Sequence, residues 1–216
     1  MKYVVLDLEM CKVPKGCRCK EYKWSQETIE IGAVLLDDDF SVLDQFDTFV
    51  KPKYGRVDYF IEHLTGISEY QLKNAPSFEE AIDLFTEWIP DGEVKCVSWS
   101  TSDSAQIEHE MVSKGHNNSR MIELLAGWID CQKLFDDRVG MIRPSKLEEA
   151  LIIADIYPEG NMHNGLSDAQ NTAILFGKLE NGEEFVLNEI YQSAAREESI
   201  PMVVCIGDLF RNIAIM

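Results

Sequence analysis

Nearly continuous runs of apolar residues mark the strands that the sequence predicts. Such runs span residues 3–10, 28–37 and 94–100, and a shorter one falls within 124–132, whereas residues 41–52 alternate between apolar and polar positions and are stopped by Pro52. They are short and rich in β-branched residues, as is typical of buried strands. The acidic triplet at 37–39 separates the second run from the alternating segment 41–52, so we expect these two strands to form a hairpin.

Helical periodicity dominates the rest of the chain. Apolar residues recur at three- and four-residue spacing in 60–68, 77–90, 102–115, 144–156 and 165–179. Ser77 followed by Glu80 is a capping box, and Pro90 follows the end of that helix. A strand hairpin followed by alternating strands and helices predicts an α/β domain with a mixed sheet.

Two acids interrupt the first apolar run, "YVVLDLEM", at Asp7 and Glu9. Being two apart on a strand, their side chains leave the same face. Tyr3 and Val5 share that face, so it is not simply the solvated side of a half-exposed strand. Burying two neighbouring carboxylates is costly unless a positive charge lies between them.

Further acids follow two other predicted elements. Asp103 comes just after the strand at 94–100, at the carboxyl end where α/β proteins bind ligands. Asp168 lies in the first turn of the last predicted helix, and His163 precedes it by five residues. Each acid alone could simply be stabilised by its helix dipole. Together with Asp7 and Glu9 they form an oxygen-rich set suited to Mg²⁺ or Mn²⁺, and two such ions promote phosphodiester hydrolysis.

The net charge of the chain limits the kinds of molecule that it is expected to bind. The 216-residue chain has 20 basic and 38 acidic residues and a net charge of −18, which argues against a protein that coats nucleic acid nonspecifically. The hydrophobic content of 45% is typical of a soluble domain. The sequence shows neither an apolar run long enough to span a membrane nor a signal peptide. We therefore expect a cytoplasmic protein. The segment 12–23 is locally basic, and is either a solvated loop or one that steers phosphates.

Cysteine usage indicates reduced thiols. The six cysteines are too scattered for a disulfide scaffold, and Cys96, Cys131 and Cys205 have apolar neighbours typical of core residues. Cys11, Cys17 and Cys19 lie closer together, but no fourth ligand falls at zinc-finger spacing.

Three motifs resemble those of the DEDDh family of 3′–5′ exonucleases. They are "VVLDLEM" with Asp7 and Glu9, "VSWSTSD" with Asp103, and "HNGLSDAQNTA" with His163 and Asp168. "EIGAVLLD" and "HLTGIS" resemble the second strand and the substrate-side helix of that family. The resemblance covers about residues 2–178 and is strongest to the ERI-1/histone-mRNA exonuclease-like group.

The resemblance implies a ribonuclease H-like fold: a mixed five-stranded sheet flanked by helices. It also implies that the four acids hold two Mg²⁺ or Mn²⁺ ions while His163 acts as general base. Met10 and Leu64 would then pack on the terminal base of a single-stranded RNA or DNA 3′ end. Nucleoside 5′-monophosphates would be released, with RNA favoured over DNA.

Some alternatives stay open. The chain could be a catalytically silent module that binds a nucleic-acid end or a protein. Asp130 offers a competing carboxylate, which we expect to be structural. We expect residues 1–180 to form the exonuclease domain, and 181–216 to be a helical and apolar extension that packs on it or forms a homodimer contact.

Overall fold

A five-stranded mixed sheet forms the centre of the protein. The computed structural model describes residues 1–17, 22–181, 187–189 and 191. The strands are β1 (Lys2–Lys12), β2 (Gln26–Leu36), β3 (Val42–Phe49), β4 (Val94–Ser98) and β5 (Ile129–Asp130), in the order β3-β2-β1-β4-β5. β1 pairs antiparallel with β2, and β2 with β3, whereas β4 is parallel to β1 and to β5. The predicted hairpin and mixed sheet are confirmed.

Helices cover both faces of the sheet. They are α1 (Tyr59–Thr65), α2 (Glu69–Leu72), α3 (Phe78–Trp88), α4 (Ser102–Lys114), α5 (Ser119–Leu125), α6 (Cys131–Val139), α7 (Leu147–Ile153) and α8 (Gly165–Glu180). The predicted capping box of α3 is present, with the Ser77 N–H donating to Glu80 Oε2 at 2.8 Å. Among the described residues, no helix is both long enough and apolar enough to cross a membrane.

The strand predicted within 124–132 is mostly wrong. Helix α5 extends to Leu125, β5 spans only Ile129–Asp130, and α6 begins immediately afterwards. Side-chain caps account for the difference, because Asn118 accepts the Met121 N–H and Asp130 accepts the Lys133 N–H, each at 2.9 Å. Helix α7 is likewise shorter than the predicted 144–156, and β3 ends before Pro52.

Each face of the sheet has its own apolar core. On one face, residues of β1, β2 and β4 pack with α6, α7 and α8, and on the other with α3, α4 and α5. Cys96 and Cys131 are buried free thiols, as predicted, whereas Cys19 and Cys205 lie outside the described residues. Most of the predicted extension at 181–216 lies outside them too. Of its described residues, Leu187 and Tyr191 pack against the first core.

Candidate active site

Strand β1 extends beyond its parallel neighbour, and this creates the first part of the site. β4 pairs only with Lys2–Val5, so the backbone of β1 beyond that point has a free edge on this side. The Leu8 N–H, between the two acids of the strand, instead donates to Asp103 Oδ1 at 3.2 Å. Helix α4 therefore places the buried Asp103 carboxylate against the segment that holds Asp7 and Glu9.

The start of α8 lies directly on the sheet because two glycines allow close contact. Gly32 on β2 is paired with Asp7 on β1. A Cβ atom at Gly32 would lie 2.1 Å from the carbonyl carbon of Gly165 and 2.1 Å from the nitrogen of Leu166. This contact brings the first turn of α8, with Asp168, next to the acids of β1.

A hydrogen bond links His163 to Asp168 at the start of α8. The His163 N–H donates to Asp168 Oδ2 at 2.8 Å, and the backbone of His163 is left-handed, with φ of 63°. Ligand atoms of Glu9, His163 and Asp168 all lie within 4.8 Å of one another. His163 is itself exposed, so its ring borders the acidic cluster from the solvent side.

The four carboxylates destabilise one another's charged form. Burial, followed by repulsion from the other acids, raises the pKa of Asp7 well above its usual range and that of Glu9 to about 8. Burial also raises the pKa of Asp103 to about 7 and that of Asp168 above its ordinary value. Within the described part of the chain, no lysine or arginine forms an ion pair with these four side chains.

This arrangement fits divalent cations. Asp168 Oδ1 is buried and lacks a hydrogen-bond partner among the described residues, although its companion oxygen is bonded. An unpartnered carboxylate oxygen inside a cluster of acids is a ligand that a hard cation would satisfy. Asp7, Glu9, Asp103 and Asp168 could hold such ions, with the His163 ring at the edge.

Glu30 belongs to the same region, although it was not among the residues predicted for the site. It is fully buried on β2, where it accepts the Gly165 N–H at 2.8 Å and the Asn164 side-chain amide at 3.1 Å. Burial raises its pKa to about 7, and the neighbouring Asp47 adds to this effect. A signal was present in "TIEIGAVLLD", where Glu30 interrupts an apolar strand just as Asp7 and Glu9 do.

The remaining predicted residues are Met10, Leu64 and Asp130. Met10 follows a register shift in β1 and is partly buried against the α3–α5 core. Leu64 is 37% exposed on α1, and Phe60 is 58% exposed one turn earlier. Asp130 caps α6. Leu64 thus lies on the helix that resembles the substrate-side helix of the family, and Met10 directly follows Glu9 on β1.

Comparison with known sequences identifies relatives along most of the chain. The family model RNase_T, described as "Exonuclease", matches residues 4–176. ERI1 exoribonuclease 2 of Homo sapiens is 30% identical over 205 residues, which cover 82% of this chain and 28% of that protein. The 3′–5′ exoribonuclease 1 of Rattus norvegicus is 25% identical over 196 residues, covering 83% of this chain and 55% of the relative. The matched region therefore spans little more than a quarter of the first relative and about half of the second.

Solved structures share the fold. The nuclease domain of 3′hExo, a DEDDh family member bound to rAMP, superposes with a TM-score of 0.71 at 22% identity, covering 87% of this chain and 96% of that one. Cell-death related nuclease 4 (CRN-4) gives a TM-score of 0.67 at 20% identity, covering 87% and 66% respectively. The implied ribonuclease H-like fold is confirmed. By its family match the chain belongs to the exonuclease family, and it is similar to the ERI1 exoribonucleases and to the DEDDh nuclease domain of 3′hExo.

Proposed function

We propose that this chain is a two-metal-ion 3′–5′ exonuclease that removes nucleoside 5′-monophosphates from the 3′ end of single-stranded nucleic acid. The observation that carries the proposal is the meeting of Asp7, Glu9, Asp103 and Asp168 beside His163. Exonucleases of this family depend on divalent metal ions, and the unpartnered oxygen of Asp168 supports a site for one. Mg²⁺ or Mn²⁺ suits such an all-carboxylate set.

The residues of the chain have distinct tasks in this reaction. The four carboxylates hold the cations, which when bound supply positive charge that acidifies a water and stabilises the leaving oxygen. His163 accepts the proton of the attacking water at a ring nitrogen. A new bond then forms between that oxygen and the terminal phosphorus, the phosphorus–O3′ bond breaks, and the leaving O3′ takes a proton from solvent, so that the shortened strand leaves with a free 3′-hydroxyl.

Met10 and Leu64 form the proposed platform for the terminal base. An apolar surface contacts the face of any base, so it gives affinity without sequence preference. The net charge of −18 would repel the strand elsewhere, and bound cations reverse the sign of the potential at the site. RNA is the favoured substrate, because the relatives that match most of the chain are named exoribonucleases.

A single cleavage experiment tests the proposal. Matched RNA and DNA strands labelled at the 5′ end are incubated with the protein in Mg²⁺, in Mn²⁺ and with chelator. The expected result is a metal-dependent ladder that shortens from the 3′ end, faster for RNA. Intact strands in both metals, with the strand still bound, would support the silent binding module instead.

A further inference from the structure

A second charged region lies beside the site, and its sign is opposite to that of the molecule. The exposed side chains of Lys51, Arg56 and Lys73 line a shallow pocket of about 410 Å³ between the loop after β3 and helix α2. Glu69 is the only acid among its lining residues. We call the surface formed by Lys51, Arg56 and Lys73 the basic pocket.

Within the part of the chain that the structure describes, the charges of the basic pocket are not paired with acidic side chains. Among the described residues, none of its three cations forms a salt bridge. Over the whole chain acids outnumber basic residues by 38 to 20, so lysines and arginines readily find partners, as Lys133 and Arg143 do. Three unpaired cations around one pocket are therefore available to a ligand with negative charge.

A buried carboxylate holds the loop that supplies two of these cations. Glu27 is fully buried, and it accepts the backbone N–H groups of Lys53, Tyr54 and Gly55 at 2.8, 2.7 and 2.6 Å. Its charge is balanced by Lys114 Nζ at 2.7 Å. Glu27 thus holds the loop backbone in place, while the side chains of Lys51 and Arg56 are exposed. A loop that is already ordered loses less conformational entropy when a ligand binds.

The basic pocket is joined to the active site through the end of β1. The Arg56 N–H donates to the Lys12 carbonyl at 3.0 Å, and Lys12 lies three residues after Glu9 on the same strand. Lys12 Nζ also lies 5.0 Å from the centre of the Phe60 ring on α1. A strand with its 3′ end at the acids would have its preceding nucleotides close to this surface.

We propose that the basic pocket binds the phosphodiester backbone of the substrate strand, upstream of the terminal nucleotide. Lysine and arginine neutralise backbone phosphates regardless of sequence. Tyr70, 85% exposed on the rim, offers a ring on which a base stacks. An acidic peptide would use the cations but not this ring. The inference rests on the proposed function, and it predicts that affinity grows with strand length.

The test compares two triple variants that change the net charge equally. One replaces Lys51, Arg56 and Lys73 by Gln, and the control replaces the exposed Lys95, Lys133 and Lys146 by Gln. Cleavage of a dinucleotide and of a 5′-labelled 12-nucleotide RNA is followed over a range of salt concentrations. Binding of the same RNA is measured by fluorescence anisotropy without metal.

In the pocket variant we expect kcat/KM for the 12-nucleotide strand to fall at least tenfold, with dinucleotide cleavage unchanged. Its salt dependence should become shallower by about 0.7 in the log–log slope for each lost phosphate contact. Equal binding and equal cleavage by both variants would overturn the inference. If the wild-type protein cleaves neither substrate but only the pocket variant loses RNA binding, the proposed function fails and the binding surface stands.

Discussion

Glu30 Oε2 accepts the backbone N–H of Gly165 at 2.8 Å, and so links the middle of β2 to the first residue of α8. The other oxygen of Glu30 accepts the side-chain amide of Asn164, the residue that caps α8. His163 immediately precedes this pair. Glu30 therefore acts as a positioning residue for the proposed general base, although it does not itself face solvent.

Glu30→Gln should lower kcat with little change in KM. The Gln side chain presents an NH₂ group to one of two donors, so one hydrogen bond is lost and the turn at His163 loosens. Steady-state kinetics and the pH profile of kcat measure the effect, with Glu159→Gln as an exposed control. A loss of thermal stability alone, with normal kcat at low temperature, would reduce Glu30 to a purely structural role.

Gly32→Ala should move α8 away from the sheet. The added methyl group would meet backbone atoms of Gly165 and Leu166 at 2.1 Å, which cannot rotate away as a side chain would. Overpacking of this kind costs about 1–3 kcal/mol or more, and the displaced Asp168 should abolish cleavage. Chemical denaturation and the cleavage assay report both effects. Gly127→Ala is the matched control, because a Cβ there meets nothing within 4 Å, and it should behave as wild type.

Asp7→Asn should abolish cleavage yet stabilise the metal-free protein. The change removes a proposed metal ligand together with a source of repulsion toward Asp103, Asp168 and Glu9. A gain of 1 kcal/mol corresponds to about 2–4 °C in Tm for a domain of this size. Thermal unfolding with and without Mg²⁺ measures it. Wild-type turnover in this variant would refute the assignment of Asp7.

The pH dependence of stability follows from the same cluster. Burial and mutual repulsion raise the pKa of Glu9 to about 8, so between its unfolded pKa of about 4.3 and that value the folded state binds more protons than the unfolded state. Metal-free stability should therefore fall as pH rises from about 5 to 8, the reverse of a salt-bridged carboxylate. Mg²⁺ should restore it at pH 8. A metal-free Tm independent of pH across this window would contradict the cluster electrostatics.

His163→Ala should reduce kcat by about 10²–10⁴-fold, the usual contribution of one general base. Mn²⁺ affinity, followed by isothermal titration calorimetry, should stay close to wild type. The His163 ring nitrogen is close enough to Glu9 and Asp168 to bind a cation itself. Loss of Mn²⁺ binding, with activity recovered at high metal concentration, would show that His163 is a metal ligand and not the general base. His116→Ala is the control, because His116 hydrogen-bonds to Asp83 and does not belong to the acidic cluster.

Lys114→Met should destabilise the fold without touching the acidic cluster. Lys114 Nζ lies 2.7 Å from both Glu27 and Glu110, and all three side chains are almost fully buried. Removing one partner of a buried ion pair costs about 3–5 kcal/mol, because the remaining charge is uncompensated. The penalty, measured by denaturant unfolding, should shrink at low pH, where Glu27, whose pKa is no longer lowered by Lys114 in the variant, becomes protonated. The exposed Lys133→Met serves as control and should have little effect.

Local sequence pattern was sufficient to predict much of the fold. Strand periodicity placed Asp7 and Glu9 on one face, and capping chemistry placed the start of α3, because both depend only on neighbours in sequence. The boundary between α5, β5 and α6 was not predictable in this way. There a two-residue strand exists only because β4 provides a partner for Ile129 and Asp130.

The sequence by itself determined which carboxylates are present and on which elements they lie, since motif spacing and side-chain alternation are local properties. Tertiary structure decided that they meet. Asp103 can hydrogen-bond to the free edge of β1 only because the pairing with β4 ends early. Asp168 lies next to the acids of β1 only because Gly32 and Gly165 allow α8 to contact the sheet. Glu30 gains its role in the same way, through a hydrogen bond to a residue 135 positions away. Such contacts depend on strand register and packing distance, which no local pattern specifies.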